Sequence, residues 1–351
     1  MRLPTSTGLA LLLAACLAAG CLGRPVAPEP VPPDAEPAAV RFVVVGDTGT
    51  GDWNEYAVAR AIGTACADRG CDLVVHTGDI LYDDGAFSVD DPQFEDKFEI
   101  PYGSLGLPVY LVLGNHDVGN DPHAPEDLGR WQAVGDVAVA YSNRTGRTTD
   151  AWHMPGRWYA FTQGPVAFVA FDSSAFVYAP LESDTKGPLH EAVNAQAAFA
   201  MAQWGKVANA TWRFAVAHHP YVSNGGHGDA EDLDDDGLHG KVLDWFYETH
   251  VCHKADVLLT GHDHDLQWLA PVEPCGPTRF LVSGAGARPR PLQDPLRNAA
   301  IFQAGDLLGF WWLEAKGPRL RLAAFDVDGR VLYESEVAKE TAASTSAGTA
   351  A

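Results

Sequence analysis

The stretch Leu73-Val74-Val75-His76-Thr77-Gly78-Asp79-Ile80-Leu81-Tyr82 decides the fold class of this 351-residue chain. Its first half is almost continuously apolar and β-branched, as in a strand that is buried on both faces. Gly78-Asp79 then ends the strand in turn-forming residues. The pattern recurs, and the six predicted strands are residues 40–45, 73–77, 109–113, 166–171, 214–217 and 257–260.

Helical patterns alternate with these strands. The predicted helices are residues 54–68, 91–98, 189–207 and 240–249. Such alternation indicates an α/β fold, in which polar residues gather at the carboxyl ends of the strands. After residue 279 the pattern changes to strands without helices, and turn signals at residues 316–318 and 326–329 predict hairpins. The Trp311-Trp312 pair should then place one ring in the core and the other outward.

The two ends of the chain have different compositions from the rest. The apolar run at residues 9–19 is too short to span a bilayer, so residues 1–21 are predicted to be a signal peptide. Cys16 and Cys21 each follow small residues, as in the lipobox of bacterial lipoproteins, although an ordinary cleaved signal is the alternative. Residues 22–39 are predicted to be a Pro-rich tether, residues 40–338 one domain, and residues 339–351 a disordered tail.

The chain carries 24 basic and 46 acidic residues, a formal net charge of −22. Like charges repel, so nucleic acid is not an expected partner, and a membrane is expected only through an N-terminal lipid anchor. Any anionic substrate needs a strong local positive charge, which a bound metal could supply. The predicted signal peptide, with its lipobox cysteines, indicates an exported protein that is either anchored to the bacterial cell envelope or secreted or periplasmic.

Four cysteines remain outside the signal region: Cys66, Cys71, Cys252 and Cys275. An even number in an exported chain predicts two disulfides. Three connectivities are possible, and we favour the two pairs that are local in sequence. A zinc site is the alternative, but no C-x-x-C pair occurs.

Five predicted strands end in residues that can bind metals or transfer protons. These strand ends are Gly46-Asp47-Thr48-Gly49, Gly78-Asp79-Ile80-Leu81-Tyr82, Gly114-Asn115-His116-Asp117, His218-His219-Pro220 and Gly261-His262-Asp263-His264. A single Gly-Asp turn is weak evidence of function. Five strand ends that carry carboxylate, phenol, amide and imidazole groups in this order suggest a site with two metal ions. Two such ions lie roughly 3.5–4 Å apart and need a shared anionic ligand, which an aspartate can provide. Asp263, between His262 and His264, is a better candidate for supporting the metal ligands than for binding a metal itself.

This order of strand ends resembles the calcineurin-like metallophosphoesterase superfamily, and more specifically the purple acid phosphatases of the tartrate-resistant type. The resemblance runs over about residues 40–337 and implies a four-layer α/β/β/α sandwich with mixed sheets. It implies two metal ions, Fe(III) and a divalent iron, zinc or manganese ion. Tyr82, three residues after Asp79, narrows the resemblance from the superfamily to the purple acid phosphatases, because a tyrosinate at that place binds iron in those enzymes.

The resemblance also implies the role of each site residue. Asp47, Asp79, Tyr82 and His264 would hold the ferric ion, and Asp79, Asn115, His218 and His262 the divalent one. His219 adjoins His218, so either could be the ligand, and the family pattern favours His218. His116 and His227 would face a small phosphorylated substrate. Hydrolysis of phosphate monoesters by metal-activated hydroxide is the expected reaction, with His227 assisting the leaving group.

Two other functions remain open at this point. The same metals could hydrolyse phosphodiesters, or the chain could be a non-catalytic surface binding protein. All predicted ligands are present, which argues against the second alternative.

The acidic segment at residues 229–237 resembles the start of a calcium-binding loop. Leu243 occupies the position at which such a loop requires a glutamate, so a solvated loop is favoured. His76, inside a strand, is predicted to be a core residue.

Overall fold

The computed structural model describes residues 38–118, 125–233 and 239–339. The predicted signal peptide, with both candidate lipidation cysteines, lies outside these residues, as do nearly all of the tether and the tail. None of the described helices is long and apolar enough to cross a membrane.

The described residues form fourteen strands and five α-helices. In chain order they are β1 Ala39–Val45, α1 Trp53–Arg69, β2 Leu73–His76, β3 Val109–Leu111, α2 Pro125–Tyr141, β4 Trp152–His153, β5 Tyr159–Gln163, β6 Val166–Ala170, α3 Ser174–Tyr178, α4 Pro188–Lys206, β7 Trp212–Val216, α5 His239–His250, β8 Val257–Thr260, β9 Leu266–Leu269, β10 Arg279–Ser283, β11 Ala300–Ala304, β12 Gly309–Lys316, β13 Arg319–Asp326 and β14 Val331–Ala338. A π-helical turn occupies Glu95–Glu99, and three 3₁₀ turns lie at Gly103–Leu105, Ala179–Leu181 and Ala230–Asp232.

The strands form two mixed sheets of seven strands each. The first has the order β14-β13-β12-β1-β2-β3-β4, and β1 to β4 run parallel within it. The second has the order β11-β9-β10-β8-β7-β6-β5, and β6, β7, β8 and β10 run parallel. Each sheet therefore has one group of parallel strands whose carboxyl ends lie along one edge.

Alternate residues of the central strands point into two different cores. Phe42 and Val44 of β1 pack between the two sheets, against residues such as Phe214 of β7. Val43 and Val45 of the same strand face the other way, into a core that the helices complete. The predicted four-layer α/β/β/α sandwich is confirmed, because each sheet is covered by the other sheet on one face and by helices on the other.

The expectation that one of two neighbouring tryptophans faces outward was wrong. Trp311 is fully buried between the sheets, and Trp312 is 2% exposed in the core that contains helix α1. The Trp311 indole N–H donates to the Val282 carbonyl at 3.1 Å, and that of Trp312 donates to the Gly70 carbonyl at 3.0 Å. The two side chains still point to opposite faces of β12, but both faces of its sheet are covered by other parts of the fold.

Several elements differ from those expected. The predicted helix at residues 91–98 is one π-helical turn, Glu95–Glu99, in a segment that prolines 92 and 101 confine. Strand β1 begins at Ala39, the last residue assigned to the tether. Helices α2 and α3 and the short strands β4, β5, β9 and β11 were not predicted.

Both disulfides join the local pairs that the sequence favoured. Cys66 of α1 pairs with Cys71 just before β2, and Cys252 pairs with Cys275, with Cα–Cα distances of 5.1 and 4.4 Å. The alternative of a zinc site on these cysteines was wrong. Two disulfides are typical of proteins that fold in an oxidising compartment.

Candidate active site

The carboxyl ends of strands from both sheets meet at one place. Asp47, Asp79 and Asn115 follow β1, β2 and β3 of the first sheet. His218 follows β7 of the second sheet, and His262 and His264 follow β8. Parallel strands that end at one edge, in two stacked sheets, bring together side chains that are up to 217 positions apart, as between Asp47 and His264.

The backbone turns sharply where three of these side chains enter the site. Asp47, Asp79 and His262 have φ angles of 58°, 55° and 67°. Residues other than glycine rarely adopt this left-handed conformation, which costs on the order of 1–3 kcal/mol each. Packing around the strand ends must hold this strain, and the turn redirects each side chain from the strand toward the cavity.

The glycines that precede the site residues make room for side chains from other strands. A Cβ atom on Gly114 would lie 2.1 Å from Asp79 Oδ1, and one on Gly261 would lie 2.4 Å from Asp47 Oδ2. The repeated Gly-Asp, Gly-Asn and Gly-His pairs therefore have a steric cause. Gly114 and Gly261 accommodate carboxylates from other strand ends, whereas a Cβ atom on Gly46 would lie 2.1 Å from Thr77 Oγ1 and one on Gly78 would lie 2.7 Å from His218 Nδ1.

One group of donor atoms surrounds the amide oxygen of Asn115. His218 Nε2 lies 3.0 Å and His262 Nδ1 lies 3.1 Å from Asn115 Oδ1, and the two ring nitrogens are 3.1 Å apart. His218 Nδ1 donates to the Thr77 carbonyl at 2.8 Å, which leaves a lone pair on Nε2 when the ring is neutral. The opposite nitrogen of His262, Nε2, is buried and has no hydrogen-bond partner.

A second group of donor atoms surrounds the hydroxyl of Tyr82. This hydroxyl lies 3.3 Å from Asp47 Oδ1 and 3.2 Å from His264 Nε2, and the last two atoms are 3.4 Å apart. His264 Nδ1 donates to the Arg288 carbonyl at 2.6 Å, so its Nε2 also presents a lone pair. Burial, followed by the charges of Asp79 and Asp47, raises the pKa of Tyr82 well above its usual value.

Asp79 lies between the two groups. Its Oδ2 is 3.5 Å from His218 Nε2, and it belongs with Asp47 and His218 to a set whose candidate ligand atoms lie within 4.8 Å of one another. Burial raises the pKa of Asp79, but His218 and His116 outweigh that effect and bring the pKa to about 2. For Asp47, burial dominates and raises the pKa well above its usual value.

The donor set fits two metal ions. Burial lowers the pKa of His262 well below its usual value and also lowers that of His264, so both rings are neutral and can offer lone pairs. Buried nitrogen and oxygen lone pairs that face one another at about 3 Å repel unless a cation lies among them. Carboxylate, phenol, amide and imidazole donors also match the ligand types of iron, zinc and manganese.

The neighbouring histidines His218 and His219 point to different partners. His218 faces Asn115 and Asp79, as described above. His219 Nδ1 lies 2.8 Å from the Ser173 hydroxyl, and burial lowers the pKa of His219 well below its usual value. The ring of His219 nevertheless lines the cavity, with its centroid 4.4 Å from that of His262.

A cavity of about 300 Å³ opens over the donor atoms. His116 and His227, which were expected to face the substrate, both line it. His116 Nδ1 donates to the Asp83 carbonyl at 2.6 Å, which leaves its Nε2 at 4.0 Å from Asp79 Oδ2. The backbone N–H of His227 donates to Asp263 Oδ1 at 2.8 Å.

Two aspartates that are not among the predicted ligands hold the site loops in place. Asp117 accepts hydrogen bonds from the backbone N–H groups of Ile80, Leu81 and Gly114, each at 2.9 Å. Burial raises the pKa of Asp117 to about 7. Asp263 accepts from the Ser223 hydroxyl as well as from His227, which agrees with the supporting role expected for it.

Sequence reasoning missed the arginines of the loop between β10 and β11. Arg290 lines the cavity, and its Nη1 lies 2.9 Å from His227 Nε2. The guanidinium of Arg288 stacks 4.2 Å over the Tyr82 ring and pairs with Asp83 at 2.9 Å. No spacing marks either residue in the sequence, because both lie in an irregular loop that β10 brings to the site.

His76 lies in the core, as predicted. It is fully buried, its Nε2 lies 2.9 Å from the Thr48 hydroxyl, and burial lowers its pKa to about 3. The acidic segment at residues 229–237 is described only up to residue 233, so the calcium-loop expectation lies largely outside the described residues.

Comparison with known proteins identifies the family. The model of the family described as calcineurin-like phosphoesterase matches residues 40–266, well over half of the chain. The chain belongs to this family. It is 29% identical to purple acid phosphatase 7 of Arabidopsis thaliana over 324 residues, 87% of this chain and 88% of that protein. It is 26% identical to tartrate-resistant acid phosphatase type 5 of Sus scrofa, over 85% of this chain and 86% of the relative.

Solved structures share the fold. GAP50, the anchor in the inner membrane complex of Plasmodium, superposes with a TM-score of 0.67 at 18% identity, over 86% of this chain and 90% of that one. At this identity the likeness shows the fold alone. The family match and the phosphatase relatives show that this chain is a phosphoric ester hydrolase, and the family implies a dinuclear metal centre.

Proposed function

We propose that this calcineurin-like phosphoesterase is an acid phosphatase that hydrolyses phosphate monoesters at a centre of Fe(III) and a divalent ion. The observation that carries the proposal is the pair of donor groups on either side of Asp79, one around Asn115 and one around Tyr82. The Tyr82 group contains the phenol that Fe(III) prefers, and the Asn115 group contains a neutral amide oxygen suited to a divalent ion.

The proposed ligands follow from this division. Asp47, Tyr82 and His264 would hold the ferric ion, Asn115, His218 and His262 would hold the divalent ion, and Asp79 would be a ligand that the two share. A trivalent ion withdraws the proton of a phenol more strongly than a divalent ion does, which favours Fe(III) at Tyr82. When bound, the ions supply positive charge for the phosphoryl oxygens and lower the pKa of water.

His116 and His227 act on the substrate. Arg290 can only donate, so His227 Nε2 accepts from it. His227 assists the departing alkoxide, and the hydrogen bond of its backbone N–H to Asp263 holds the residue at the cavity. His116 offers Nε2 toward the same space, since its Nδ1 is engaged by Asp83.

The visible spectrum tests the metal assignment. A phenolate bound to Fe(III) gives a charge-transfer band, so the aerobically purified protein should be pink to purple and contain about one iron and one further metal ion per chain. Tyr82→Phe should lose the band and keep the fold. Tyr110→Phe is the matched control, because Tyr110 stacks on Phe161 in β3 and β5, away from the donor groups. A colourless, iron-free and fully active wild-type protein would contradict the Fe(III) centre.

Paired substrates test the reaction. We expect a monoester such as an aryl phosphate to be hydrolysed with a higher kcat/KM than the corresponding diester, and a reversed preference would make the protein a phosphodiesterase. His227→Ala should reduce turnover most for alkyl phosphates, whose leaving groups are poor, while metal content stays unchanged. Equal losses for aryl and alkyl phosphates would show that His227 does not assist the leaving group.

Export and lipid anchoring are part of the proposal, and the two disulfides support export. The anchor would be attached at Cys16 or Cys21. Labelling with a radioactive fatty acid in Cys16→Ala and Cys21→Ala variants identifies the acylated residue, and an unlabelled wild-type protein would point to an ordinary cleaved signal peptide.

A further inference from the structure

Arg290 is a cation at the cavity whose part in the proposed function has so far been limited to its contact with His227. It lines the same cavity as Asp79, Asn115, His116 and His262. Its guanidinium is charged at every pH at which the protein folds, unlike the neighbouring imidazoles. In a chain with a formal net charge of −22, a permanent positive charge at the cavity opposes the repulsion that an anionic substrate meets on approach.

The two arginines of this loop differ in how their charge is compensated. Arg288 is paired with Asp83 at 2.9 Å. Among the described residues, no carboxylate lies within ion-pair distance of Arg290, whose guanidinium instead donates to His227 Nε2 at 2.9 Å. A guanidinium has five N–H donors, so the contact with His227 leaves others available to a ligand. Arg290 is also more than one-third exposed, which keeps it accessible from solvent.

The backbone of Arg290 is held firmly in place. Its N–H donates to the His264 carbonyl at 2.9 Å, and its carbonyl accepts from the Asp306 N–H at 2.9 Å. Proline at positions 289 and 291 restricts the chain on both sides. The backbone at Arg290, next to the residues that follow β8, therefore needs little ordering when an anion binds.

We propose that Arg290 binds the phosphoryl group of the substrate and makes the site selective for phosphate monoesters over diesters. This inference rests on the proposed phosphatase function and adds the residue that sets its substrate class. A monoester offers three non-bridging oxygens and up to two negative charges, whereas a diester offers two oxygens and one charge. Arginine recognises phosphate through two parallel N–H···O bonds, so the additional oxygen and charge favour the monoester.

The test compares wild-type, Arg290→Gln and Arg290→Lys proteins loaded with metal. For Arg290→Gln we expect KM for an aryl phosphate monoester to rise roughly 10- to 100-fold, as for the loss of a hydrogen bond between charged groups. KM for the matched diester should change less than about threefold, and Arg290→Lys should recover part of the monoester affinity. Arg319→Gln is the control, because Arg319 pairs with Glu336 where β13 begins, beside the start of β1 and at the opposite edge from the site.

A double variant separates direct binding from an effect through His227. If Arg290 only orients His227, adding Arg290→Gln to His227→Ala changes nothing further, and the inference is overturned. If Arg290 binds phosphate itself, the double variant loses about another tenfold in kcat/KM for the monoester. Equal losses for monoester and diester in the single variant would also overturn it.

Calorimetric titration with inorganic phosphate decides the question independently of turnover. We expect the Kd for phosphate to rise roughly 10- to 100-fold in metal-loaded Arg290→Gln, while metal content and melting temperature stay at wild-type values. An unchanged Kd would refute the role of Arg290. Absence of hydrolysis of either ester by the wild-type protein would instead contradict the proposed function, and the titration would still decide whether Arg290 binds phosphate.

Discussion

Replacing Gly114 by alanine should disable the metal centre through one methyl group. The added Cβ would lie 2.1 Å from Asp79 Oδ1, 2.4 Å from the Asp79 backbone nitrogen and 2.9 Å from Asp79 Cγ. Real contacts of this kind are at least 3.0 Å, so Asp79 or the loop after β3 must move by about 0.9 Å. Metal ligands tolerate deviations of only about 0.2 Å, and misplacement by about 1 Å costs roughly 100-fold in rate.

We therefore expect Gly114→Ala to bind less than one equivalent of metal and to lose at least about 100-fold in kcat/KM. Overpacking should also lower the free energy of unfolding by about 1–3 kcal/mol. Metal analysis, steady-state kinetics and urea denaturation measure the three effects. Gly205→Ala is the matched control, because Gly205 lies in α4 with no atom within 4 Å of the added Cβ, and it should stabilise by roughly 0.5–1 kcal/mol. A Gly114→Ala protein with two metal ions and wild-type activity would refute the steric argument.

Substitutions in the metal site and at the buried Glu55 also have outcomes that the structure predicts. Asp79→Ala and Asn115→Ala should each release metal and abolish hydrolysis while circular dichroism shows an intact fold, and full activity in metal-free Asp79→Ala would contradict the dinuclear centre. Burial raises the pKa of Glu55 to about 9, so the folded chain keeps a proton that the unfolded chain releases near pH 4.5. Stability should therefore fall between about pH 4.5 and pH 9, by up to about 1.4 kcal/mol per pH unit, and denaturation curves for Glu55→Gln should lack this component. Identical pH profiles for Glu55→Gln and wild type would show that Glu55 ionises normally.

The central strands were predictable because their sequences are unambiguous. Short apolar runs that are rich in β-branched residues and bounded by glycine favour a buried strand over a helix, and β1, β2 and β8 were located to within one or two residues. The candidate site followed from them, since it consists of strand ends. The family resemblance supplied the division of the donors into two groups, which periodicity alone does not reveal.

Other features depend on tertiary contacts that no local pattern encodes. The short edge strands β4 and β11 contain two and five residues and pair only because a neighbouring strand is already in place. Arg290 lies in an irregular loop, and its relation to His227 arises because β10 and β7 belong to the same sheet. Trp311 and Trp312 were misjudged because local alternation does not tell whether the second face of a sheet is covered.

Metal binding accounts for two unfavourable features of the site, the strained backbone of its residues and the lone pairs that face one another. Asp47, Asp79 and His262 are three of the five non-glycine residues with positive φ in the described part of the chain. Each is fixed by hydrogen bonds from another strand end; for example, Asp47 Oδ2 accepts from the His262 backbone N–H at 3.0 Å. These contacts join the first sheet to the second, so the arrangement of donors depends on how the sheets stack. The strain and the repulsion among buried lone pairs are costs that the folded chain bears in order to have a metal site formed in advance.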